Sequence, residues 1–318
     1  MRRLRLSGRS WRTWPGRAAS NSGAAISAVE RGSALQGTFI DAGGYRTYYI
    51  DQGRGPVVVL MHGASVAIDA WLTWHSTIAQ LSRSFRVLAF DQPGFGRTDM
   101  PKDGRYLNRL QRTDHALAFV DALGVDRAIL VGHSEGAFMA ARMAIVRPGL
   151  ARKLVIVTSG GTAPRLGGDL DRDWMAASKS AYNYKSGVNS EDDFIGTNAS
   201  LWRVADPAIE AMLRENYRRA AASGQIDMFR RRSASETNIE RYTLLQEEHI
   251  HPHLPQLTTP TLILWAAEDP TVPVERGLRL ARLFPKADFH VFGEAAHMVM
   301  FDRREAFNSL LADWCSEK

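Results

Sequence analysis

Cysteine is nearly absent from this chain of 318 residues, and long apolar runs are absent altogether. The single cysteine, Cys315, cannot form an internal disulfide, which excludes a disulfide-rich fold and fits a reducing compartment. No stretch approaches the ~18 consecutive apolar residues of a membrane-spanning helix, and none resembles the apolar segment of a secretion signal. We therefore expect a cytoplasmic protein without a membrane partner.

Acidic residues are scarce in one part of the chain only. Residues 1–36 contain seven arginines, no lysine and a single acidic residue, Glu30. This excess of positive charge equals the net charge of +6 of the whole chain, so residues 37–318 are neutral overall. A neutral body does not attract nucleic acids, and we expect no nucleic-acid partner. The segment is predicted to be a disordered basic tail, although its composition also matches a transit peptide.

Buried strands alternate with helices from residue 37 onward, which predicts a mostly parallel sheet with helices on both faces. Between residues 160 and 257 the pattern is helical and no strand is convincing. We therefore predict an α/β core of residues 37–160 and 258–318, interrupted by a helical cap insertion at residues 161–257. The predicted strands are residues 37–41, 45–51, 57–61, 85–90, 128–131, 153–158, 261–265 and 288–292, and the predicted core helices are residues 71–82, 105–123, 137–146, 274–283 and 304–314.

A G-x-S-x-G pattern, residues 132–136, lies between a predicted strand and a predicted helix. Such a turn tolerates only small neighbours and exposes the serine oxygen at the edge of the sheet. The helix N-terminus adds backbone N–H groups and the positive end of a dipole. The pattern arises readily by chance in a chain with 26 glycines. Its position between a strand and a helix nevertheless favours Ser134 as a nucleophile over a glycine-rich turn whose serine has no catalytic role.

A serine nucleophile needs a base, and the base needs an acid that orients it. Asp269 and His297 each follow a predicted strand, and the order Ser134, Asp269, His297 is that of serine hydrolases built on an open α/β sheet. Because such sheets place their sites at the carboxyl ends of the strands, the three residues are expected to converge. Glu268 is a rival for the acid role, and we favour Asp269.

A tetrahedral intermediate also needs donors for its negatively charged oxygen. The backbone N–H of Glu135, directly after the nucleophile, is one predicted donor. The second is expected in the loop after the strand at residues 57–61, at Ala64 or Ser65.

Three histidines at alternate positions, His249, His251 and His253, invite interpretation as a metal site. Pro252 interrupts them and no fourth ligand stands nearby, which is a weak pattern for zinc. We expect neither a metal nor a cofactor.

Taken together, these motifs resemble the α/β-hydrolase superfamily, in its single-chain form with a cap, from about residue 37 to the end. The resemblance implies an α/β-hydrolase fold, a Ser-His-Asp triad and a small-molecule substrate. The region 284–308 also resembles hydrolases that cleave carbon–carbon bonds in meta-ring-fission products. The matching pieces are His62-Gly63, Trp71, residues 91–99, residues 132–136, residues 268–273 and Gly293 to His297.

Three positions depart from those carbon–carbon hydrolases. They usually carry asparagine before the nucleophile and tryptophan after the catalytic histidine, and they hold the substrate carboxylate with a cap arginine. This chain has His133 and Met298 at the first two positions, and alignment of residues 208–219 places Asn216 at the third, close to two arginines. The residues expected to contact substrate are His133, Met298, Trp202, Arg214 and Arg218.

The expected reaction is hydrolysis of a small or medium carboxylic ester through an acyl-enzyme on Ser134. Carbon–carbon hydrolysis of a dienoate is the enzymatic alternative, and Arg214 and Arg218 are its only support in the predicted cap. A ligand receptor that keeps the triad but turns over slowly is a second alternative. Cofactor-free halogenation or perhydrolysis on the same triad is a third. The sequence does not indicate an oligomeric state.

Overall fold

The computed structural model describes residues 37–181, 190–231 and 239–317, and the predicted basic tail lies outside them. The strands are β1 (Thr38–Ala42), β2 (Tyr45–Gln52), β3 (Val57–Met61), β4 (Arg86–Phe90), β5 (Ala128–His133), β6 (Ala151–Val157), β7 (Thr261–Ala266) and β8 (Asp288–Phe292). The α-helices are α1 (Ala70–Leu81), α2 (Arg109–Ala122), α3 (Glu135–Val146), α4 (Asp169–Ala181), α5 (Glu191–Asn198), α6 (Pro207–Ser223), α7 (Gln225–Arg231), α8 (Ile239–His249), α9 (Val274–Ala281), α10 (Val299–Asp302) and α11 (Arg304–Ser316).

The strands form one sheet of eight in the order β1-β2-β4-β3-β5-β6-β7-β8. The first two pairings, β1 with β2 and β2 with β4, are antiparallel, and every later pairing is parallel. The structure thus confirms the predicted α/β-hydrolase fold. Because β3, β5 and β7 run in the same direction, the residues that follow each of them emerge at one edge of the sheet.

Complete burial of the central strands explains why they read as continuous apolar runs. In β5 all six residues are buried, and β3 is buried from its second residue onward. Parallel strands covered by helices on both faces have no solvent side, so they show no alternation of polar and apolar residues. The C-terminal ends of these strands therefore form a rigid base for the turns that follow them.

Helix α2 begins four residues later than the helical periodicity predicts. Asn108 caps it, because its side chain accepts the backbone N–H groups of Leu110 and Gln111 while the Gln111 side chain accepts the N–H of Asn108. This reciprocal capping box provides acceptors for the first backbone N–H groups of the helix, so the helix begins at this point. The sequence does not predict the short helix α10, which begins two residues after His297.

Between β6 and β7 the described residues form helices α4 to α8 and two short 3-10 helices, with no strand among them. The cap insertion predicted at residues 161–257 falls within this stretch, and we call those residues the insertion. It packs on the core through Phe229, whose ring lies 5.7 Å from that of Phe95, and through Met228, which lies beside Gly94.

We expect Gly277→Ala to destabilise the protein by about 1–3 kcal/mol, the usual cost of overpacking a core. A Cβ at Gly277 would lie 2.6 Å from the ring of Trp265, which is fully buried in the strand leading to Asp269. The matched control is Gly196→Ala in α5, where an added Cβ meets nothing within 4 Å and a helix gains roughly 0.5–1 kcal/mol. Urea unfolding measures both, and an unchanged midpoint for Gly277→Ala would contradict the packing described here.

Candidate active site

Ser134 occupies a sharp turn between β5 and α3 in which glycines are required on both sides. Its backbone has φ 54° and ψ −122°, in the left-handed half of conformational space that non-glycine residues rarely adopt. A Cβ on Gly132 would lie 2.3 Å from the carbonyl oxygen of Gly136, and one on Gly136 would lie 2.4 Å from those of Met61 and His62. The glycines of the G-x-S-x-G pattern are therefore fixed by close backbone approach.

On the side of β5 away from β3, residues at the end of β6 and just after it hold the two peptide groups of Ser134. The N–H of Ser134 donates to the carbonyl oxygen of Val157 at 2.9 Å, and the hydroxyl of Ser159 donates to the carbonyl oxygen of Ser134 at 2.7 Å. A strained conformation costs about 1–3 kcal/mol and persists only when its surroundings hold it. These two hydrogen bonds provide that support.

His297 and Asp269 form a buried pair, as the sequence predicts. The ring Nδ1–H of His297 donates to Asp269 Oδ2 at 2.8 Å, and both side chains are almost fully buried. The other carboxylate oxygen, Oδ1, accepts the N–H and the hydroxyl of Thr271 and the N–H of Val272, all within 2.9 Å. Asp269 therefore has a fixed orientation, and it assigns the proton of His297 to Nδ1. The lone pair is then on Nε2, the nitrogen that acts as base in such triads.

Glu268, the rival for the acid role, lies elsewhere. Its carboxylate is half-exposed, forms an ion pair with Arg203 at 3.3 Å and accepts the backbone N–H of Glu294. The geometry favours Asp269.

His133 packs against the predicted base. Its ring lies 4.7 Å from that of His297, centroid to centroid, and its Nε2–H donates to the carbonyl oxygen of His297 at 3.2 Å. The hydroxyl of Thr158 donates to the same oxygen at 3.0 Å. Burial lowers the pKa of His133 well below its usual value, with the neighbouring His297 a smaller cause, so the ring is neutral. His133 thus supports the backbone of His297 in the structure.

The loop after β3 lies directly over the nucleophile. A Cβ on Gly63 would be 3.0 Å from Cβ of Ser134, so a larger residue there would crowd the turn. The next two residues, Ala64 and Ser65, are the predicted oxyanion donors. Within the part of the chain that the structure describes, the backbone N–H groups of these two residues have no hydrogen-bond acceptor. Both residues follow Gly63 directly in the loop that approaches Ser134, and their role as donors stays a prediction.

The insertion also forms hydrogen bonds with the loop that follows β3, at Ala67. Ala67 has a positive φ of 61°. Its N–H donates to Oε1 of Gln225 at 2.9 Å, and its carbonyl oxygen accepts from Nδ2 of Asn216 at 3.0 Å. The amide of Gln225 also donates to the carbonyl oxygen of Gly94 at 2.6 Å. Two amide side chains of the insertion thus fix an unfavourable backbone conformation in the loop next to Ser134.

Arg214 and Arg218, which are predicted to contact substrate, are both paired with acidic side chains in the structure. Arg214 forms ion pairs with Glu191, Asp192 and Glu210, and Arg218 forms a bidentate pair with Glu191. Both guanidinium groups are therefore neutralised by acidic residues of α5 and α6. The sequence could not show this, because the main partners lie more than twenty positions away.

Two other predicted substrate contacts, Met298 and Trp202, lie on two segments that contact each other. Met298, directly after His297, is buried, and its N–H donates to the carbonyl oxygen of Leu201 at 2.8 Å. Trp202 follows Leu201 and packs its ring edge-on against Phe301, 6.1 Å between centroids. The segment 201–202 of the insertion therefore contacts the segment that carries the base.

Sequence reasoning missed the side chains that hold the predicted triad in place: Thr158, Ser159 and Thr271. A signal existed for Thr271 only, since an aspartate whose carboxylate accepts the N–H two residues later is a common turn. The other two contacts join residues far apart in the chain and have no local signature.

No group of three or more potential metal ligands occurs in residues 37–181, 190–231 and 239–317. His251, from the histidine cluster, instead uses its Nε2 to hydrogen-bond the carbonyl oxygen of Thr162 at 2.8 Å. Among the same described residues, no helix is long and apolar enough to span a membrane.

Residues 56–304 match the family described as having the alpha/beta hydrolase fold. The chain is 30% identical to a 2-hydroxymuconate semialdehyde hydrolase from a Pseudomonas species, over 88% of this chain and 94% of that protein. It is also 30% identical to a 2-hydroxy-6-oxo-2,4-heptadienoate hydrolase from Pseudomonas putida, over 87% and 95%. The crystal structure of a meta-cleavage product hydrolase from Pseudomonas fluorescens superposes with a TM-score of 0.72 at 25% identity, over 87% and 96% of the two chains.

Asp269→Asn should lower kcat for p-nitrophenyl butyrate by roughly 10⁴-fold, because the amide favours the wrong tautomer of His297. The matched control is Glu268→Gln, one residue earlier, whose ion pair with Arg203 lies on the surface and should matter little. Steady-state kinetics of both variants decide the assignment. Loss of activity in Glu268→Gln with activity kept in Asp269→Asn would reverse it.

Proposed function

The chain belongs to the alpha/beta hydrolase fold family, and on that premise we propose that it hydrolyses a carbon–carbon bond in a 2-hydroxy-6-oxo-2,4-dienoate through Ser134. One observation carries the proposal. Two relatives that align with this chain over nearly their whole length are named for substrates of this kind, a 2-hydroxymuconate semialdehyde and a 2-hydroxy-6-oxo-2,4-heptadienoate. The ester expected from the sequence becomes the second candidate.

The chemistry suits a serine triad when the departing carbon is stabilised. Transfer of the 2-hydroxyl proton to C5 converts the dienol into a 2,6-diketone with a C3–C4 double bond. Ser134 then attacks the C6 carbonyl and passes its proton to Nε2 of His297. The C5–C6 bond breaks, and its electron pair delocalises to the oxygen on C2, giving a dienolate that is protonated to 2-hydroxypenta-2,4-dienoate. Water releases the acyl group from Ser134.

Three features near Ser134 would assist this reaction. The buried carboxylate of Asp269 would stabilise His297 when it is protonated. The N–H groups of Ala64, Ser65 and Glu135 would bind the oxyanion formed at C6. The insertion, as a cap, would exclude water until the C–C bond has broken.

The ester remains a second candidate because of the arginines of the insertion. Arg214 and Arg218 are occupied by acidic partners, and Asn216, between them, is uncharged and hydrogen-bonded to Ala67. The two cations are thus already paired with acids and Asn216 carries no charge, whereas a neutral ester needs no cation.

Wild type and Ser134→Ala should be compared on two substrates, 2-hydroxy-6-oxo-2,4-heptadienoate and p-nitrophenyl butyrate. We expect kcat/KM of the wild type to be higher for the dienoate, and Ser134→Ala to lose roughly 10⁴-fold or more of kcat on both. The loss of dienoate absorbance and the release of nitrophenolate are followed over the full time course.

Steady turnover of the ester alone would replace the proposal by the second candidate. A single burst per protein molecule on both substrates would indicate the slow receptor, and turnover that persists in Ser134→Ala would exclude this serine as the nucleophile.

The double variant Arg214→Ala/Arg218→Ala tests the arginines directly. We expect kcat/KM for the dienoate to change by less than about fivefold, because both arginine side chains are paired with acids. The protein should remain folded, since ion pairs near the surface contribute little to stability. The ester serves as the internal control. Selective loss of dienoate turnover, with ester turnover kept, would show that these arginines bind the carboxylate after all.

A further inference from the structure

A buried ion pair lies directly behind the predicted oxyanion donors. Glu135, whose N–H is one donor, points its carboxylate into the protein, where Arg112 of α2 and the hydroxyl of Tyr106 donate to it, the latter at 2.8 Å. The Arg112 side chain is 0% exposed and that of Glu135 is 6% exposed. The pair is therefore removed from solvent, and its charges are poorly screened.

Arg112 continues this network to the second donor segment. Its Nη1 donates to Oε1 of Gln92 at 2.8 Å, and Nε2 of Gln92 donates to the carbonyl oxygen of His62 at 2.6 Å. The backbone N–H of Gln92 donates to Nε2 of His62 at 3.1 Å, while Nδ1–H of His62 donates to the carbonyl oxygen of Gly63 at 2.7 Å. Ala64 comes next in the chain. A continuous buried network thus joins the two segments that supply the oxyanion hole.

The imidazole of His62 adds no charge to this network. Its Nδ1 carries the proton and its Nε2 accepts one, and burial lowers the pKa of His62 to about 3. The charged groups of the network are therefore Glu135 and Arg112, one of each sign. A carboxylate on the residue that donates to the oxyanion would by itself disfavour negative charge there. Arg112 offsets that charge.

We propose that Arg112 is a positioning residue of the oxyanion hole, which sets the relative placement of Glu135 and the His62–Ala64 segment and neutralises Glu135. The proposal rests on acyl transfer at Ser134 but not on which bond is broken, because esters and ketones form the same oxyanion. It predicts an effect on the transition state and little effect on binding of the ground state.

The test compares Arg112→Met with Arg112→Met/Glu135→Gln in the full-length protein. The substrate is whichever of the dienoate and p-nitrophenyl butyrate the wild type turns over faster. Affinity for an alkyl trifluoromethyl ketone is measured as well. This inhibitor adds to the serine oxygen as a tetrahedral adduct and needs the same donors as the transition state.

For Arg112→Met we expect kcat to fall by about 10²-fold, the loss typical of one impaired oxyanion donor, with KM nearly unchanged. Affinity for the trifluoromethyl ketone should fall in parallel. The double variant should recover at least about tenfold in kcat, because it no longer buries a negative charge that Arg112 would otherwise offset. The matched control is Arg147→Met at the other end of α3, which removes an exposed ion pair with Asp121 and should keep wild-type kcat.

If Arg112→Met does not fold, Arg112→Lys replaces it, since an ammonium keeps the charge but cannot contact Glu135 and Gln92 as a fork. We then expect a partial loss of kcat with a parallel loss of ketone affinity. Wild-type kcat in either Arg112 variant, a loss of kcat without loss of ketone affinity, or a double variant no better than Arg112→Met would overturn the inference. Turnover that survives in Ser134→Ala would instead overturn the proposed function, so the two failures are distinguishable.

Discussion

The strained backbone conformation of Ser134 is held by close contacts with the two strands that flank β5. On one side Gly136 touches the carbonyl oxygens at the end of β3, and on the other Val157 at the end of β6 and Ser159 just after it bind the two peptide groups of Ser134. Any larger residue at Gly132 or Gly136 would push the turn away from the sheet. The approach of the loop at Gly63 and the start of α3 at Glu135 both depend on this close packing of backbone on backbone.

Local sequence signals were sufficient for the parts of the site that are built locally. The turn at Ser134 and the strands before Asp269 and His297 were predicted because glycine spacing and buried apolar runs lie within a few residues. Sheet order then brings these ends together, and the buried hydrogen bond between Asp269 and His297 agrees with that expectation. The start of α2 was misplaced because the capping pair Asn108 and Gln111 decides it, and periodicity does not.

The features of the site that could not be predicted are contacts of long side chains with residues far away in the sequence. Arg214 and Arg218 are predicted substrate contacts because they flank the aligned position, and the sequence does not show that their guanidinium groups also bind Glu191, which precedes them by more than twenty residues. His133 differs from the asparagine of similar enzymes, and only the fold shows that its ring lies on His297. Charge compensation and ring packing between distant segments have no signature in a single sequence.

The backbone conformation of Ala67 limits how the insertion of such enzymes can be exchanged. Its positive φ is unfavourable for any residue with a side chain, and it is held by one amide from each of two helices of the insertion, Asn216 and Gln225. The insertion is therefore not an interchangeable module. A chimera that receives the insertion of a relative must also receive two amides that reach this peptide, or a glycine at position 67 that removes the need for them.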